Sequence, residues 1–156
     1  MKIRKAHKED ILSILNLVKE FTLEHRKISK LKKALDIEKV LEIRKKIIQQ
    51  EIKNKTGIIF LAESEKKCVG YIFAIKGFFY DRSDKTKVYI SDIFVEKKFR
   101  KKGIAKLLIS NLIRWCKKEK IKQIFLDVDS NNQKVKEFYK ILKFEEISIK
   151  MGKTLK

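Results

Sequence analysis

Residues Val88 to Leu108, VYISDIFVEKKFRKKGIAKLL, constrain the fold of this chain more than any other stretch. A run rich in β-branched and aromatic residues passes through a basic turn. At Gly103 it enters an amphipathic helix that carries Ile104, Leu107, Leu108, Leu112, Ile113 and Trp115 and ends at Lys118. A helix start leaves backbone N–H groups without partners, and those donors, with the helix dipole, form an anion site. Gly103 lets a phosphate approach the backbone, and small Ala105 keeps the next turn open. Lys97, Lys98, Arg100, Lys101, Lys102 and Lys106 surround the glycine with charge. The arrangement suits a pyrophosphate. Read alone, a glycine at such a junction also serves as an ordinary tight turn, and neither GxxxxGK[ST] nor GxGxxG is present.

The remaining segments supply strands and helices in alternation. Residues 2–6 read as a short first strand. Asp10 to Glu24 place Ile11, Ile14, Leu15, Val18 and Phe21 on one helical face, and residues 32–53 repeat that pattern with Leu35, Val40, Leu41, Ile47 and Ile48. Ile58–Ala62 and Cys68–Ile75 form a hairpin around the charged residues 63–67. Residues 77–87 read as a loop, Val88–Val95 as a strand, Ile121–Val128 as a strand, Asn131–Leu142 as a short helix and Phe144–Met151 as a last strand. The order β-α-α-β-β-β-α-β-α-β indicates a three-layer α/β or α+β domain. With 156 residues, no proline and no internal repeat, the chain reads as a single domain over residues 1–156.

Charge limits the choice of partners without deciding it. Forty Lys and Arg oppose 20 Asp and Glu, giving a net charge of +20 that attracts anions of every class. Most of it reads as a lysine-rich solvated surface. No apolar run approaches the roughly 20 residues of a membrane span, and the basic start lacks the apolar core and cleavage site of a secretory signal. Cys68 and Cys116 lie far apart outside any Cys/His cluster, so neither a metal site nor a disulfide framework is expected, and two thiols suit a reducing cytoplasm.

Two motifs in sequence make the reading specific. Arg100-Lys101-Lys102-Gly103-Ile104-Ala105 resembles the [QR]-x-x-G-x-[GA] acetyl-CoA motif of the GNAT superfamily of N-acetyltransferases, and Ile93-Phe94-Val95 resemble the end of that family's fourth strand. Downstream, Asn132 to Phe144 is similar to the family's N-x-x-A-x-x-[FL]-Y-x-x-x-G-F, with Val135 at its alanine and Lys143 at its glycine. The resemblance spans nearly the whole chain. It implies a GNAT-like mixed central sheet of about six or seven strands, helices on both faces, and fourth and fifth strands that splay apart. It also implies acetyl-CoA as cosubstrate, with the pantetheine arm on the backbone of Ile93, Phe94 and Val95. The pyrophosphate would lie on the amides of Arg100, Lys101, Lys102, Gly103, Ile104, Ala105 and Lys106, and Asn132 would bond the cofactor's polar groups.

The implied reaction is transfer of acetyl to an amine by direct attack, with Tyr139 donating a proton to the leaving thiolate. Each role has a plainer counterpart: Tyr139 as a core residue beside Phe138, Asn132 as a helix cap. For the base, strict alternation sets Tyr89, Ser91, Ile93 and Val95 on one face and Val88, Ile90, Asp92 and Phe94 on the other. Some relatives carry an acidic pair in the register of Ser91-Asp92, of which only Asp92 is acidic here, and family strands can bulge there, which would re-aim a side chain. Asp92 is the candidate base or amine-binding group. A partly buried structural carboxylate, or water acting alone, are the alternatives. His7 and His25 read as surface residues, although His25 could border the acceptor cleft. Phe78, Phe79, Tyr80, Asp81 and Asp84 lie where relatives carry a substrate loop.

The expected function is therefore a cytoplasmic N-acetyltransferase acting on an amine-bearing small molecule or protein, with no membrane partner and with a homodimer left open. Two other readings compete. A nucleic-acid-binding basic module would use the net charge but shows no recognisable signature. A non-catalytic acyl-CoA-binding regulator would keep the fold without turnover.

Overall fold

A computed structural model describes residues 1–28, 36–77 and 84–153. The helical reading over 32–53 and the loop reading over 77–87 thus fall partly outside the described residues. The elements are β1 (Lys2–Lys5), α1 (Ile11–Ile28), α2 (Ile37–Asn54), β2 (Gly57–Ser64), β3 (Lys67–Lys76), β4 (Lys87–Val95), α3 (Ile104–Lys118), β5 (Gln123–Leu126) and α4 (Gln133–Ile141). Short 3-10 turns occupy Lys8–Asp10 and Lys97–Phe99. The strands form one five-stranded sheet in the order β1-β2-β3-β4-β5. The first four are antiparallel, and β5 joins β4 in parallel after the α3 crossover. The β2–β3 hairpin turns through Glu65 and Lys66, both at positive φ, as a two-residue turn matched to strand twist requires.

Each sheet face has its own core. On one face α1 and α2 bring Ile14, Leu17, Val18 and Ile48 onto Ile59, Leu61, Tyr71, Phe73 and Phe94. On the other, α3 and α4 bring Ile104, Leu108, Leu112 and Tyr139 onto Ile58, Ile72, Val88, Ile90 and Val95. Val88 and Val95 share a face, which strict alternation forbids. The cause is a bulge: Phe73 pairs with Asp92 and Ala74 with Ile90, so Ser91 has no partner on β3. Asp92 therefore does not share the face of Val88 and Ile90, as alternation predicts. It lies on the α1/α2 face with Phe94.

β4 and β5 pair only from Lys87 to Ile90 on β4. Beyond that point residues 92–95 keep β3 on one side and lose β5 on the other, so the two strands splay open as expected. Gly70 on β3 fits beneath this stretch only because it lacks a side chain, since a Cβ there would come within 2.8 Å of the Phe94 carbonyl. The expected count of six or seven strands is corrected to five, because no ladder forms over residues 144–151. That segment alternates, but Ile147, Ile149 and Met151 are exposed; alternation makes a strand only where the backbone finds a partner. Among the described residues no helix is long and apolar enough to cross a membrane.

Candidate active site

The site begins where β4 ends. The Glu96 amide donates to Val69 on β3 (2.9 Å). Amides alternate sides along a strand, so those of Ile93 and Val95 face the opening left by β5. The side chains of Phe94 and Val95 are buried and that of Ile93 is half-buried, so this stretch offers a ligand its backbone. Glu96 is buried too, and Lys67 (2.9 Å) and Lys98 (3.7 Å) compensate its charge.

The turn into α3 exposes donors. Arg100 is extended, Lys101 takes φ 61°, and Gly103 takes φ 75° as the N-cap of α3. The helix ladder starts with the Leu107 amide donating to the Gly103 carbonyl (3.0 Å). The amides from Lys101 to Lys106 have no backbone acceptor outside that ladder among the described residues, and no side chain caps the helix. A Cβ built at Gly103 would meet nothing within 4 Å, so the space in front of the amides is open. Ile104 is buried and fixes the helix start on the core, Ala105 is half-buried, and Lys101, Lys102 and Lys106 are exposed. This donor set fits a diphosphate: a row of N–H groups, the positive end of a 15-residue helix, and flanking lysines.

Arg100 is placed differently from its neighbours. Its amide donates to Lys97 (3.3 Å). Its Nε donates to the Val95 carbonyl (2.8 Å), and its Nη2 meets Glu24 of α1 (2.7 Å). Its guanidinium lies 5.3 Å from the centre of the Phe94 ring.

Tyr139 sits on α4 in the core that also holds Val95 and Ile104. Its ring meets Phe144 edge-on at 5.4 Å, and burial pushes its phenol well above the usual tyrosine range. The helix closes just beyond it. The Phe144 amide donates to Tyr139 and the Lys143 amide to Lys140, both at 3.0 Å, with Lys143 at φ 66°. This is the left-handed C-terminal closure that usually takes glycine, so Lys143 adopts the conformation of the residue it replaces. Asn132 is the N-cap of α4. It is half-buried, and its side chain makes no capping bond.

Asp92 faces α2, where the Arg44 guanidinium pairs with its carboxylate. Arg44 also donates to the Ser91 hydroxyl (3.3 Å) and lies 5.8 Å from the centre of the Phe73 ring. Burial lowers the Arg44 pKa and raises that of Tyr71, whose hydroxyl is buried without a hydrogen-bond partner. Arg44, Tyr71 and Glu24 carry no signal in the sequence. Each is an unremarkable helix or strand residue until folding brings it to β4.

Of the expected substrate loop, Phe78, Phe79, Tyr80 and Asp81 lie outside the described residues. Asp84 accepts bonds from the Thr86 hydroxyl (2.6 Å) and amide (3.0 Å) and pairs with Lys87 (2.9 Å). These partners, the Thr86 hydroxyl first, lower its pKa to about 2. His25 is exposed at the end of α1, its ring 5.8 Å from Phe21.

Residues 18–144 match the model of the acetyltransferase (GNAT) family. An uncharacterised N-acetyltransferase of Methanocaldococcus jannaschii is 32% identical over 93 residues, which cover 60% of this chain and 41% of that protein. The chain thus spans well under half of that relative's length. Among solved structures, an acetyl transferase candidate of Pyrococcus furiosus aligns over 99% of both chains with a TM-score of 0.76 and 24% identity. An aminoglycoside N-acetyltransferase in complex with CoA aligns over 99% of both chains with a TM-score of 0.72 and 19% identity. At these identities the structural likeness speaks for the fold.

Proposed function

The chain belongs to the acetyltransferase (GNAT) family, and from that premise we propose that it is an N-acetyltransferase using acetyl-CoA as cosubstrate and a primary amine as acceptor. The observation that carries the reading is the row of amides from Lys101 to Lys106, which opens beside the point where β5 leaves β4. The diphosphate would rest on those amides, with Lys101, Lys102 and Lys106 adding charge. The Ile93 and Val95 backbone would hold the pantetheine arm, and Asn132 its polar groups from the α4 side.

Bound acetyl-CoA supplies an acetyl group activated as a thioester. The chain's part is to orient it, stabilise charge and move protons. An amide of β4 facing the opening would stabilise negative charge on the thioester oxygen. The Tyr139 hydroxyl, kept protonated by burial, would give its proton to the departing sulfur. Because burial also makes that proton hard to lose, much of the assistance is a hydrogen bond. Asp92 is engaged by Arg44. We therefore assign the acceptor's proton to water and treat Asp92 as the anchor of α2 on β4.

The charge bears on the acceptor. Of the carboxylates near the end of β4, Asp92 pairs with Arg44, Glu24 with Arg100, and Glu96 with two lysines. A chain of net charge +20 with its local acids so matched repels polycations. The proposed acceptor is an amine of low or negative overall charge.

A binder without turnover is the second reading, favoured by the pairing of Asp92. The experiment is twofold: thermal unfolding with and without acetyl-CoA, then CoA thiol release across amines of graded charge. A rise in Tm with thiol release establishes the enzyme. A rise in Tm with no release from any amine establishes the binder. No rise in Tm overturns both.

A further inference from the structure

We infer that Arg100 is a positioning residue that ties the diphosphate seat to helix α1, and that its guanidinium is not a ligand of the diphosphate. The inference rests on the seat proposed above.

The hydrogen bonds of Arg100 are all made to groups of the protein, none of them an amide of the seat. Its amide is spent on Lys97 and its Nε on the Val95 carbonyl. Nη2 reaches 76 residues back along the chain to Glu24 on α1. The guanidinium lies 5.3 Å from the centre of the Phe94 ring, and Phe94 meets Phe21 of α1 edge-on at 6.2 Å. Phe21 and Glu24 are three residues apart and so lie on one face of α1. One side chain of the turn thus holds the end of β4 and the C-terminal half of α1 together, through a hydrogen bond, an ion pair and a ring contact.

The geometry needs arginine. A planar fork can donate to a carbonyl and a carboxylate at once while its charge rests near a ring, whereas an ammonium offers a point charge. The turn that carries Arg100 holds two left-handed residues and the row of open amides. An anion resting on those amides fixes the turn. The backbone of Arg100 is then fixed, and its side chain transmits the order to α1. Both partners are partly exposed, 39% and 38%, so the pair alone contributes little to stability. Its effect is to make the position of α1 depend on the occupied seat.

The test is hydrogen exchange of residues 18–28 with and without acetyl-CoA, alongside the acetyl-CoA Kd from calorimetry. It compares the intact chain with Arg100→Gln, Arg100→Lys and Glu24→Gln, each checked for folding by circular dichroism. In the unmodified chain acetyl-CoA slows exchange in this segment at least threefold. Each variant loses that slowing while its Kd stays within threefold, and Arg100→Gln with Glu24→Gln together do no more than either alone. A tenfold weaker Kd in Arg100→Gln with no change in Glu24→Gln makes Arg100 a ligand and overturns the inference. So does slowing that persists in the variants, or binding to the unmodified chain without slowing. Failure of the unmodified chain to bind acetyl-CoA is a separate result, which removes the seat itself.

Discussion

Arg44 of α2 lays its guanidinium against the carboxylate of Asp92 at the bulge in β4. The Asp92 side chain is 6% exposed and that of Arg44 20%, so neither charge is left to water. Breaking such a pair from one side strands the other charge, at a cost of about 3 kcal/mol. Asp92→Asn is expected to lower the unfolding free energy by that amount, read as a lower urea midpoint with little change in m. Arg44→Met combined with Asp92→Leu should recover most of the loss. If Asp92 is an anchor, the acidic limb of the pH–rate profile is the same in Asp92→Asn as in the unmodified chain. A flattened limb would make Asp92 the base.

The same residue marks where sequence reading stops. The composition of VYISDIFV makes a strand, and β4 is one. A bulge, however, belongs to two strands: it depends on Phe73 and Ala74 as much as on Ser91, and no pattern within β4 encodes it. Arg44 and Ser91 are 47 residues apart, and Arg100 and Glu24 are 76. Such pairs follow from tertiary packing and leave no periodic trace. The turn at Gly103 was legible because a glycine between a basic run and a helical pattern marks a left-handed junction, and Gly103 takes φ 75° there. The tail at 144–151 misled for the opposite reason: it has the period of a strand, and no partner strand among the described residues.

Lys143 holds a left-handed position that closes α4 beside Tyr139. A side chain pays for that conformation where glycine does not. Lys143→Gly is expected to stabilise the fold by about 1 kcal/mol. Thermal or urea unfolding would read the gain, and an unchanged or lower midpoint would show the lysine stem packing usefully on the core.

Tyr139→Phe removes a hydroxyl and keeps the ring that meets Phe144. Turnover should fall about a hundredfold, the lower range for a lost general acid, while the acetyl-CoA Kd stays within a factor of about two. Because burial raises the phenol pKa, the hydroxyl keeps its proton through the ordinary tyrosine range. No alkaline limb traceable to Tyr139 should therefore appear below about pH 10. An unchanged rate in Tyr139→Phe would leave the residue as core packing alone.

Cys116 is buried on α3, and burial raises its thiol pKa from 9.0 to about 11 in the folded chain. Between those values the unfolded chain loses the proton while the folded chain keeps it. Its contribution to stability is thus complete below pH 9 and falls as pH rises toward 11. Cys116→Ala should lose less stability than the unmodified chain across that window, measured by urea midpoints at matched pH. Parallel curves would show that the thiol does not report the folded environment.

Gly103 separates the cost of folding from the cost of binding. At φ 75° a side chain is strained, yet a Cβ there meets nothing within 4 Å. Gly103→Ala should therefore fold with a loss of about 1 kcal/mol and still bind acetyl-CoA, because a methyl group does not reach across the open amides. Gly103→Glu bears the same backbone strain and adds a carboxylate at the mouth of an anion site. It should match Gly103→Ala in stability without ligand but lose the Tm rise on adding acetyl-CoA, with at least a tenfold weaker Kd by calorimetry. If Gly103→Glu binds as tightly as Gly103→Ala, the diphosphate does not lie on these amides, and the seat must be sought elsewhere along the opening between β4 and β5.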